Sequence, residues 1–440
     1  MHPMLVGLAA FFHALFTAEA DDLARQTGLC RRRRKLDGPN LAQTLVFGWM
    51  QQPDASLDAL AALAPVPVTG SALGQRLTPA AVELLRRLLQ SALSHEALAA
   101  NPEAAGLLAR FAGVHVHDAS TIPLPAALAG LSPGCGGSTP DAGRAACKLH
   151  VRLEVTRGGR MELELTDGRT NELQSPLAHA PLPPGALRLA DLGYFDLERL
   201  RADTKAGVFW VSRAPAGLTV AGSPGGPPLK LLAWLRSQGA DRVDATVWLG
   251  AARLPARLVA TRLPAEVAAR RRARRQAKAA KRGGGPVSAA VEQLAEWDVA
   301  VTNLPAGDYA ARQVLALRRL RWQVELFFKW CKGHGRLDRV AGERPERVAA
   351  ELYARLLGLV VQGRAILAGA GGMLRYSYWR AGRRLRAWGL RLMDAVRSGA
   401  AAVAQVLACL AAVLARCKKA GRAGATWLID LAQLDADGLT

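Results

Sequence analysis

Cysteine is scarce in this sequence, and no two cysteines form a Cys-x-x-Cys pair. The chain has 440 residues and only six cysteines. This spacing argues against a dense disulfide framework and a structural zinc site, and it fits a reducing cytosol. The six are Cys30, Cys135, Cys147, Cys331, Cys409 and Cys417.

Long apolar runs are also lacking. Leu5–Phe16 is too short to cross a bilayer and no basic segment precedes it, so neither a membrane span nor a signal peptide is predicted there. Gly399–Ala415 is rich in alanine and interrupted by Gln405, which favours a buried or helix-pairing segment. We therefore expect a cytoplasmic protein without a membrane partner.

Acidic residues are few beside the basic ones. The chain has 36 Asp and Glu against 58 Lys and Arg, which gives a formal net charge of +22. An excess of this size predicts a large polyanionic partner, either nucleic acid or an anionic membrane surface. Because the apolar runs favour no membrane, nucleic acid is the better prediction.

Hydrophobic periodicity divides the chain into a helical start, a strand-rich middle and a helical end. The start contains the basic cluster Arg31–Lys35 and a predicted helix from about Thr78 to Leu93. A helix-turn-helix and an ordinary helical bundle both fit this region, since no base-reading side chain can be named. The predicted units are residues 1–105 (helical, DNA-binding), 106–215 (first part of a core), 216–305 (β-rich and basic insertion), 306–372 (second part of the core) and 373–440 (helical).

From Val114 the apolar residues alternate with period two, as in half-buried strands. Strands that first form a meander and then alternate with helices predict a mixed α/β sheet. Gly158-Gly159 is a hairpin candidate between the second and third strands. The predicted strands are Val114–Asp118, Lys148–Val155, Met161–Leu165, Ala186–Asp191, Val208–Val211, Asp244–Leu249, Arg257–Thr261 and Val299–Thr302.

Two of these strands end on an aspartate that is in line with the apolar residues. In both Val114–Asp118 and Ala186–Asp191, period two puts the carboxylate on the buried face. A carboxylate there needs a partner, and a divalent cation suits a pair of them. The alternative is that each Asp caps the turn that follows. His115 and His117 are expected on the opposite, outward face and outside any site.

A long helix is predicted from about Tyr309, and it carries a single glutamate, Glu325, among cations. This composition suits a carboxylate that binds metal beside groups that hold phosphates, although an ordinary solvated face also fits. At about 100° per residue one stripe holds Arg318, Arg321, Glu325, Lys329 and Lys332. The adjoining apolar face holds Leu317, Leu320, Val324, Phe327 and Phe328.

The segment Arg270–Arg282 is a second basic helix and contains no acidic residue. A helix of this kind is better interpreted as a phosphate-binding surface than as a solvated face. The arginines expected to contact DNA are Arg271, Arg272, Arg274 and Arg275.

Three blocks of this sequence resemble the DDE transposases of bacterial insertion sequences, in particular the hairpin-forming insertion sequence-4 family. Val114–Leu124 is similar to the family's Asp-Ser-Thr strand, and Asp191–Asp196 is similar to its Asp-x-Gly-Tyr-Phe block. Arg318–Lys332 is similar to the Tyr-x2-Arg-x3-Glu-x6-Lys signature. The resemblance covers roughly residues 25 to 345.

The resemblance implies an RNase H-like core with a β-rich insertion, and a cut-and-paste DNA transposase that acts on terminal inverted repeats and target DNA. Asp118, Asp191 and Glu325 would be the catalytic residues and would hold two Mg²⁺ ions, for which Mn²⁺ can substitute. Arg321 and Lys332 would hold phosphates near the scissile bond, with Arg318 and Lys329 beside them. The resemblance also implies a homodimer on DNA and a place on the bacterial nucleoid.

In relatives that cut through a hairpin, a tryptophan of the insertion stabilises a flipped base. Trp297 is the candidate for this role, and a core tryptophan on a strand is the alternative. The sequence departs from the family pattern at Arg318, where the signature has Tyr, and at Leu192, where Arg is usual. Ala119 also separates Asp118 from the Ser-Thr pair. These departures raise the alternative of a DNA-binding protein that keeps the fold without catalysis.

Overall fold

The computed structural model describes residues 3–32, 35–95, 106–134, 145–156, 161–281, 288–370 and 377–417. Two predicted features, the Gly158-Gly159 turn and Arg282, lie outside these residues, as does part of the Arg31–Lys35 cluster. The N-terminal region is helical, as predicted. Its helices are α1 (Pro3–Ala14), α2 (Ala20–Gln26), α3 (Gly38–Gln51), α4 (Leu57–Leu63), α5 (Gly70–Arg76) and α6 (Pro79–Ser94).

A single ten-stranded sheet forms the centre of the described molecule, in the order β3-β2-β1-β4-β5-β10-β9-β8-β6-β7. The predicted strands are all present, although their ends differ by a few residues. The short β6 and β7 were not predicted. The strands are β1 (Val114–Pro123), β2 (Ala146–Glu154), β3 (Met161–Asp167), β4 (Leu187–Ala190), β5 (Phe209–Ser212), β6 (Thr219–Ala221), β7 (Leu229–Lys230), β8 (Arg242–Leu249), β9 (Leu254–Arg262) and β10 (Trp297–Thr302).

The sheet is mixed, as the strand pattern predicts. β1 pairs antiparallel with β2 and parallel with β4, and β4 pairs parallel with β5. β2 and β3 pair antiparallel, which confirms the predicted pairing of these two strands. β4 and β5 are both largely buried, as is usual for parallel strands that are covered on both faces.

The insertion strands extend the central sheet. β10 pairs with β5 on one side and with β9 on the other, so β8, β9, β6 and β7 continue the same hydrogen-bonded surface. A second apolar cluster lies under this extension and includes Trp210, Trp234 and Trp297. The insertion is therefore attached to the core through β10.

The later helices flank the sheet and return to the N-terminal region. They are α7 (Pro176–His179), α8 (Leu197–Lys205), α9 (Leu231–Ser237), α10 (Ala265–Lys281), α11 (Ala289–Gln293), α12 (Ala311–Arg319), α13 (Trp322–Gly333), α14 (Pro345–Ala370), α15 (Tyr378–Arg386), α16 (Gly389–Ser398) and α17 (Ala400–Leu414).

The prediction of one uninterrupted helix from about Tyr309 is wrong. α12 ends at Arg319 and α13 begins at Trp322. Between them the backbone N–H groups bond three residues back, as from Val324 to the carbonyl of Arg321 at 3.2 Å. This tight turn changes the helical rotation locally. The turn separates α12, which carries Arg318, from α13, which carries Glu325.

The N-terminal and C-terminal helices pack together and share one core. α14 packs against α3, α6 and α17, and α1 packs against α17. Leu85 and Leu88 of α6 are fully buried in this core. The position of α6 agrees with the helical-bundle interpretation of the region. Gly399–Ala415 was predicted to be a buried or helix-pairing segment, and α17 confirms the pairing, since it packs against α1, α14 and α16.

By length and composition, two helical segments of the described chain could cross a membrane, Pro3–Gln26 and Pro345–Gly369. The first is longer than the run that ends at Phe16, because the helix continues through a π-turn into α2. In the second, 78% of the apolar window is buried inside the protein. Core helices of soluble proteins and signal sequences have the same properties, so these two segments are weak evidence for a membrane.

Candidate active site

The side chains of Asp118, Asp191 and Glu325 converge on the guanidinium of Arg321. The Arg321 Nη1 lies 3.1 Å from Asp118 Oδ2, and its Nε lies 3.5 Å from Asp191 Oδ1. Its Nη2 donates a hydrogen bond to Glu325 Oε1. We call the three acids the carboxylate centre. Residues separated by more than 200 positions are thus brought to one guanidinium.

Strand register explains how the two aspartates meet. β1 and β4 are parallel, and their last paired residues are His117 and Ala190. The next residues along, Asp118 and Asp191, therefore follow directly on the paired ends of two adjacent strands. β1 continues to Pro123, so Asp118 lies within the strand and not at its end as predicted.

The third carboxylate comes from a helix that packs on β1. α13 contacts β1, and Glu325 lies in its first turn, four residues after Arg321. Lys332 at the other end of α13 donates a hydrogen bond to the backbone oxygen of Thr121 at 3.0 Å, which ties the helix to the same strand. Lys329 is exposed on the outer side of this helix.

Burial and like charge raise the pKa of Asp118. Its side chain is 17% exposed. Burial, assisted by Asp191 and Glu325, raises the pKa of Asp118 to about 6 against the opposing effects of the Ala119 N–H and Arg321. Burial lowers the pKa of Arg321, but the three carboxylates outweigh it and raise that pKa above its ordinary value. The centre thus carries more negative charge than one arginine neutralises.

The donor set fits a divalent cation, although the side chains are not yet arranged around one. Carboxylate oxygens are the ligands that Mg²⁺ prefers in proteins. Asp191 Oδ1 is buried and accepts no hydrogen bond from any described group. Within the described residues, however, no three His, Cys, Asp or Glu side chains stand close enough to hold one ion. The guanidinium of Arg321 lies among the acids instead.

Comparison with known proteins agrees with this geometry. The family described as "Transposase DDE domain" matches residues 110–361, more than half of the chain. The chain belongs to this family. It is 25% identical over 367 residues to the transposase for insertion sequence element IS231B of Bacillus thuringiensis subsp. berliner, covering 78% of this chain and 75% of that one.

Further relatives carry similar names. The transposase for IS231D of Bacillus thuringiensis subsp. finitimus is 25% identical over 373 residues, covering 79% of this chain and 77% of that one. The putative transposase InsL for IS186A of Escherichia coli (strain K12) is 30% identical over 262 residues, covering 54% of this chain and 68% of that one. The resemblance to insertion-sequence transposases is confirmed.

Arg318 does not reach the carboxylate centre of this DDE-family protein. It lies before the tight turn and forms an ion pair with Asp298 of β10. Arg271 of the basic helix α10 also reaches the same Asp298 oxygen, at 3.3 Å. Burial opposes ionisation of Asp298, but the two arginines prevail and lower its pKa. Arg318 and Arg321 therefore contact different acids, Asp298 on β10 for the first and the carboxylate centre for the second.

Most of the predicted DNA-binding arginines of α10 contact their own chain. Besides its bond to Asp298, Arg271 donates to the backbone oxygen of Trp297 at 3.3 Å. Arg272 pairs with Glu296 at 3.1 Å, and Arg275 donates to the backbone oxygen of Val291 at 2.5 Å. Arg274 is exposed. These contacts hold α10 against β10, and DNA contact by this helix stays a prediction.

Trp297, which the sequence suggested for base stacking, is buried, whereas Trp322, which was not predicted, is exposed next to Arg321. Trp297 is 8% exposed and packs in the second apolar cluster, which agrees with the core alternative. Trp322 is 51% exposed and directly follows Arg321. The signal was available: Trp322 is an aromatic residue that falls outside the predicted apolar face of its helix. That face itself is buried as predicted.

A buried polar network supports the two aspartates from the other sheet face. His117 is 1% exposed, so the prediction that it points outward is wrong. Its Nε2 accepts a hydrogen bond from Arg188 at 3.3 Å, and Arg188 pairs with buried Asp203 at 2.7 Å. Burial and the positive charge of Arg188 lower the pKa of His117 well below its usual value. The opposite face is covered by helices, which alternation along one strand cannot reveal.

A second hydrogen bond fixes the loop that follows Asp191. The Tyr194 hydroxyl lies 3.1 Å from Nδ1 of His150 on β2, and the other ring nitrogen of His150 lies 2.9 Å from Thr166 on β3. The loop that carries Asp191 is thus attached to the antiparallel half of the sheet. This contact accounts for the Tyr of the Asp-x-Gly-Tyr-Phe block by a positioning role.

Proposed function

We propose that this chain is a DNA transposase that cuts DNA at element ends and joins it to a target, by hydrolysis and transesterification of phosphodiesters. One observation carries the proposal: Asp118, Asp191 and Glu325 meet at a single cation, in a family of transposase domains. The order of antiparallel β3-β2-β1 followed by parallel β4 and β5 supports an RNase H-like core.

Asp118, Asp191 and Glu325 would hold the metal ions, two Mg²⁺ with Mn²⁺ as a substitute. When bound there, divalent ions activate the attacking oxygen and stabilise the leaving oxygen of an in-line displacement. The chain's own part is to hold the acids. The Ala119 N–H donates to Asp118 Oδ1 at 2.8 Å and fixes that carboxylate, and the turn after β4 fixes Asp191.

Groups around the centre would position DNA. Arg321, Lys329 and Lys332 lie along α13 or just before it and supply cations for phosphates. Trp322 offers an exposed ring beside Arg321 on which an unpaired base can stack, a role that buried Trp297 does not fit. The net charge of +22 supports DNA as the partner, both terminal repeats and target.

Paired cutting of two element ends requires two active sites, so we propose a homodimer on the DNA. We also place the protein in the bacterial cytoplasm, on the nucleoid, without a membrane partner. The charge excess favours this location, since a strongly basic chain binds nucleic acid in a sequence-independent way at moderate salt.

A second candidate function is DNA binding without catalysis. Two positions favour it. Arg318 replaces the tyrosine of the signature and forms an ion pair with Asp298, and Leu192 stands where an arginine is usual. Both changes remove groups that would act on DNA near the carboxylate centre. The three acids themselves favour the enzyme.

One assay separates these functions. Purified protein is incubated with Mg²⁺ or Mn²⁺ and DNA that carries the element's terminal inverted repeats. We expect strand cleavage that is lost in Asp118→Ala, Asp191→Ala and Glu325→Ala while DNA binding is kept. Glu343→Gln, a change at an exposed acid between α13 and α14, should cleave like the wild type. DNA binding without cleavage in the wild type would establish the second function.

A further inference from the structure

We propose that Arg321 is an internal cation that occupies the carboxylate centre in the DNA-free protein, competes with divalent metal, and leaves when a DNA phosphate binds it. This inference rests on the proposed function and adds its regulation. It concerns the order of events: metal binds weakly before DNA and more tightly after DNA has engaged the guanidinium.

The geometry supports competition because the guanidinium uses the same oxygens that a metal would need. Three different nitrogens of Arg321 face the three acids. In the described part of the chain, no other arginine, lysine or histidine forms an ion pair with Asp118, Asp191 or Glu325. An arginine remains charged at all accessible pH values, so its position among these acids cannot be relieved by losing a proton.

The guanidinium leaves the centre incompletely neutralised. It lies 3.5 Å from Asp191, with poorer geometry than its other contacts, and Asp191 Oδ1 stays without a hydrogen bond. One positive charge also faces three acids. A divalent ion therefore gains more from this centre than the guanidinium does, provided that the guanidinium has another anion to bind.

A phosphate is such an anion, because the planar guanidinium binds two phosphate oxygens in parallel. Arg321 lies in the tight turn between α12 and α13, directly before exposed Trp322. Its side chain keeps 17% of its surface exposed, so it reaches the solvent edge of the site. Phosphate binding and metal binding both break the same three ion pairs, which makes them positively coupled.

The expected change in metal affinity follows from the strength of the ion pairs that Arg321 makes with the three acids. Partly exposed pairs are worth up to about 1 kcal/mol each. Loss of the three pairs together should therefore tighten metal binding by a factor between about 3 and about 150. DNA should tighten the metal affinity of the wild type by a comparable factor.

The test measures Mn²⁺ affinity by the electron paramagnetic resonance signal of free Mn²⁺, which requires no turnover. The samples are full-length wild type, Arg321→Gln and Arg319→Gln, each alone and with a pre-cut terminal-repeat duplex ending in a 3′-dideoxynucleotide. Arg319 is the matched control, since it is exposed, carries the same charge and lies two residues away. We expect tighter Mn²⁺ binding to free Arg321→Gln, no change in Arg319→Gln, and tightening by DNA only where Arg321 is present.

Equal or weaker Mn²⁺ binding to free Arg321→Gln, or equal tightening by DNA with and without Arg321, would overturn the proposal. If Arg321→Gln does not fold without metal, Arg321→Lys replaces it and should bind Mn²⁺ with intermediate affinity; affinity equal to the wild type would contradict the competition. Cleavage by the wild type is scored separately. Wild-type cleavage with unchanged Mn²⁺ affinity refutes only the competition, and the expected Mn²⁺ pattern without cleavage refutes only the catalytic function.

Discussion

The ionisation of Asp118 provides a quantitative check on the carboxylate centre. In the folded chain, burial together with Asp191 and Glu325 raises the pKa of Asp118 from 3.8 to about 6. An acid whose pKa is raised by folding stabilises the folded state below its unfolded pKa, where it is protonated. That contribution is lost as pH rises through the folded pKa. At 1.36 kcal/mol per pKa unit, the loss for Asp118 is about 3 kcal/mol.

The perturbation is Asp118→Asn, which keeps the shape and removes the titration. Urea unfolding of wild type and variant, in a chelating buffer without divalent ions, gives the free energy of unfolding from about pH 4 to about pH 8. The difference between the two proteins should move in favour of the variant by about 2.4 kcal/mol across this range, because part of the effect already occurs below about pH 4. Taking the difference cancels the titration of all groups that are unchanged.

Glu343→Gln, which removes an exposed carboxylate between α13 and α14, is the control. A difference between Asp118→Asn and wild type that stays constant from about pH 4 to about pH 8 would refute the reasoning. It would mean that Asp118 ionises as in the unfolded chain, and that neither burial nor neighbouring carboxylates act on it.

Three further changes test other parts of the structure. Leu88→Ala in the fully buried face of α6 should lower the free energy of unfolding by about 2–5 kcal/mol, against less than about 0.5 kcal/mol for exposed Gln90→Ala, as measured by urea unfolding. Asp203→Ala should cost about 3–5 kcal/mol, because it leaves two arginine partners without their acid at a site where the Asp is 2% exposed; a thermal melt unchanged from the wild type would disprove this. Arg271→Ala should lower the free energy of unfolding, because it removes an ion pair between α10 and β10. Exposed Arg274→Ala should leave stability unchanged and reduce the salt dependence of DNA binding by up to about 0.9 log unit. Equal effects of the two changes on stability would show that α10 is not held as described.

Much of the fold could be predicted from local pattern. Period two in β1, β2 and β4 and helical spacing in α6 and α13 depend only on neighbouring residues, so the sequence reveals them directly. β6 and β7 were missed because they have three and two residues, too few to establish a period.

The candidate site was predicted in part for the same reason. Asp118, Asp191 and Glu325 each follow from a strand or helix pattern, and the family blocks placed them together. The wrong predictions concern contacts with elements that are distant in the sequence. His117 is buried because helices cover the second sheet face, and Arg318 pairs with Asp298 because β10, far away in the sequence, lies beside it.

The sequence alone determined most of the elements, the charge that favours a polyanionic partner, and the three acids as candidates, since composition and periodicity are properties of the chain itself. Only the tertiary structure decided that Arg321 lies among those acids and that Trp322, not Trp297, is exposed beside them. The physical reason is that register between strands and packing of a helix on a sheet join residues far apart in the chain. Contacts of that kind leave no periodic trace in the sequence.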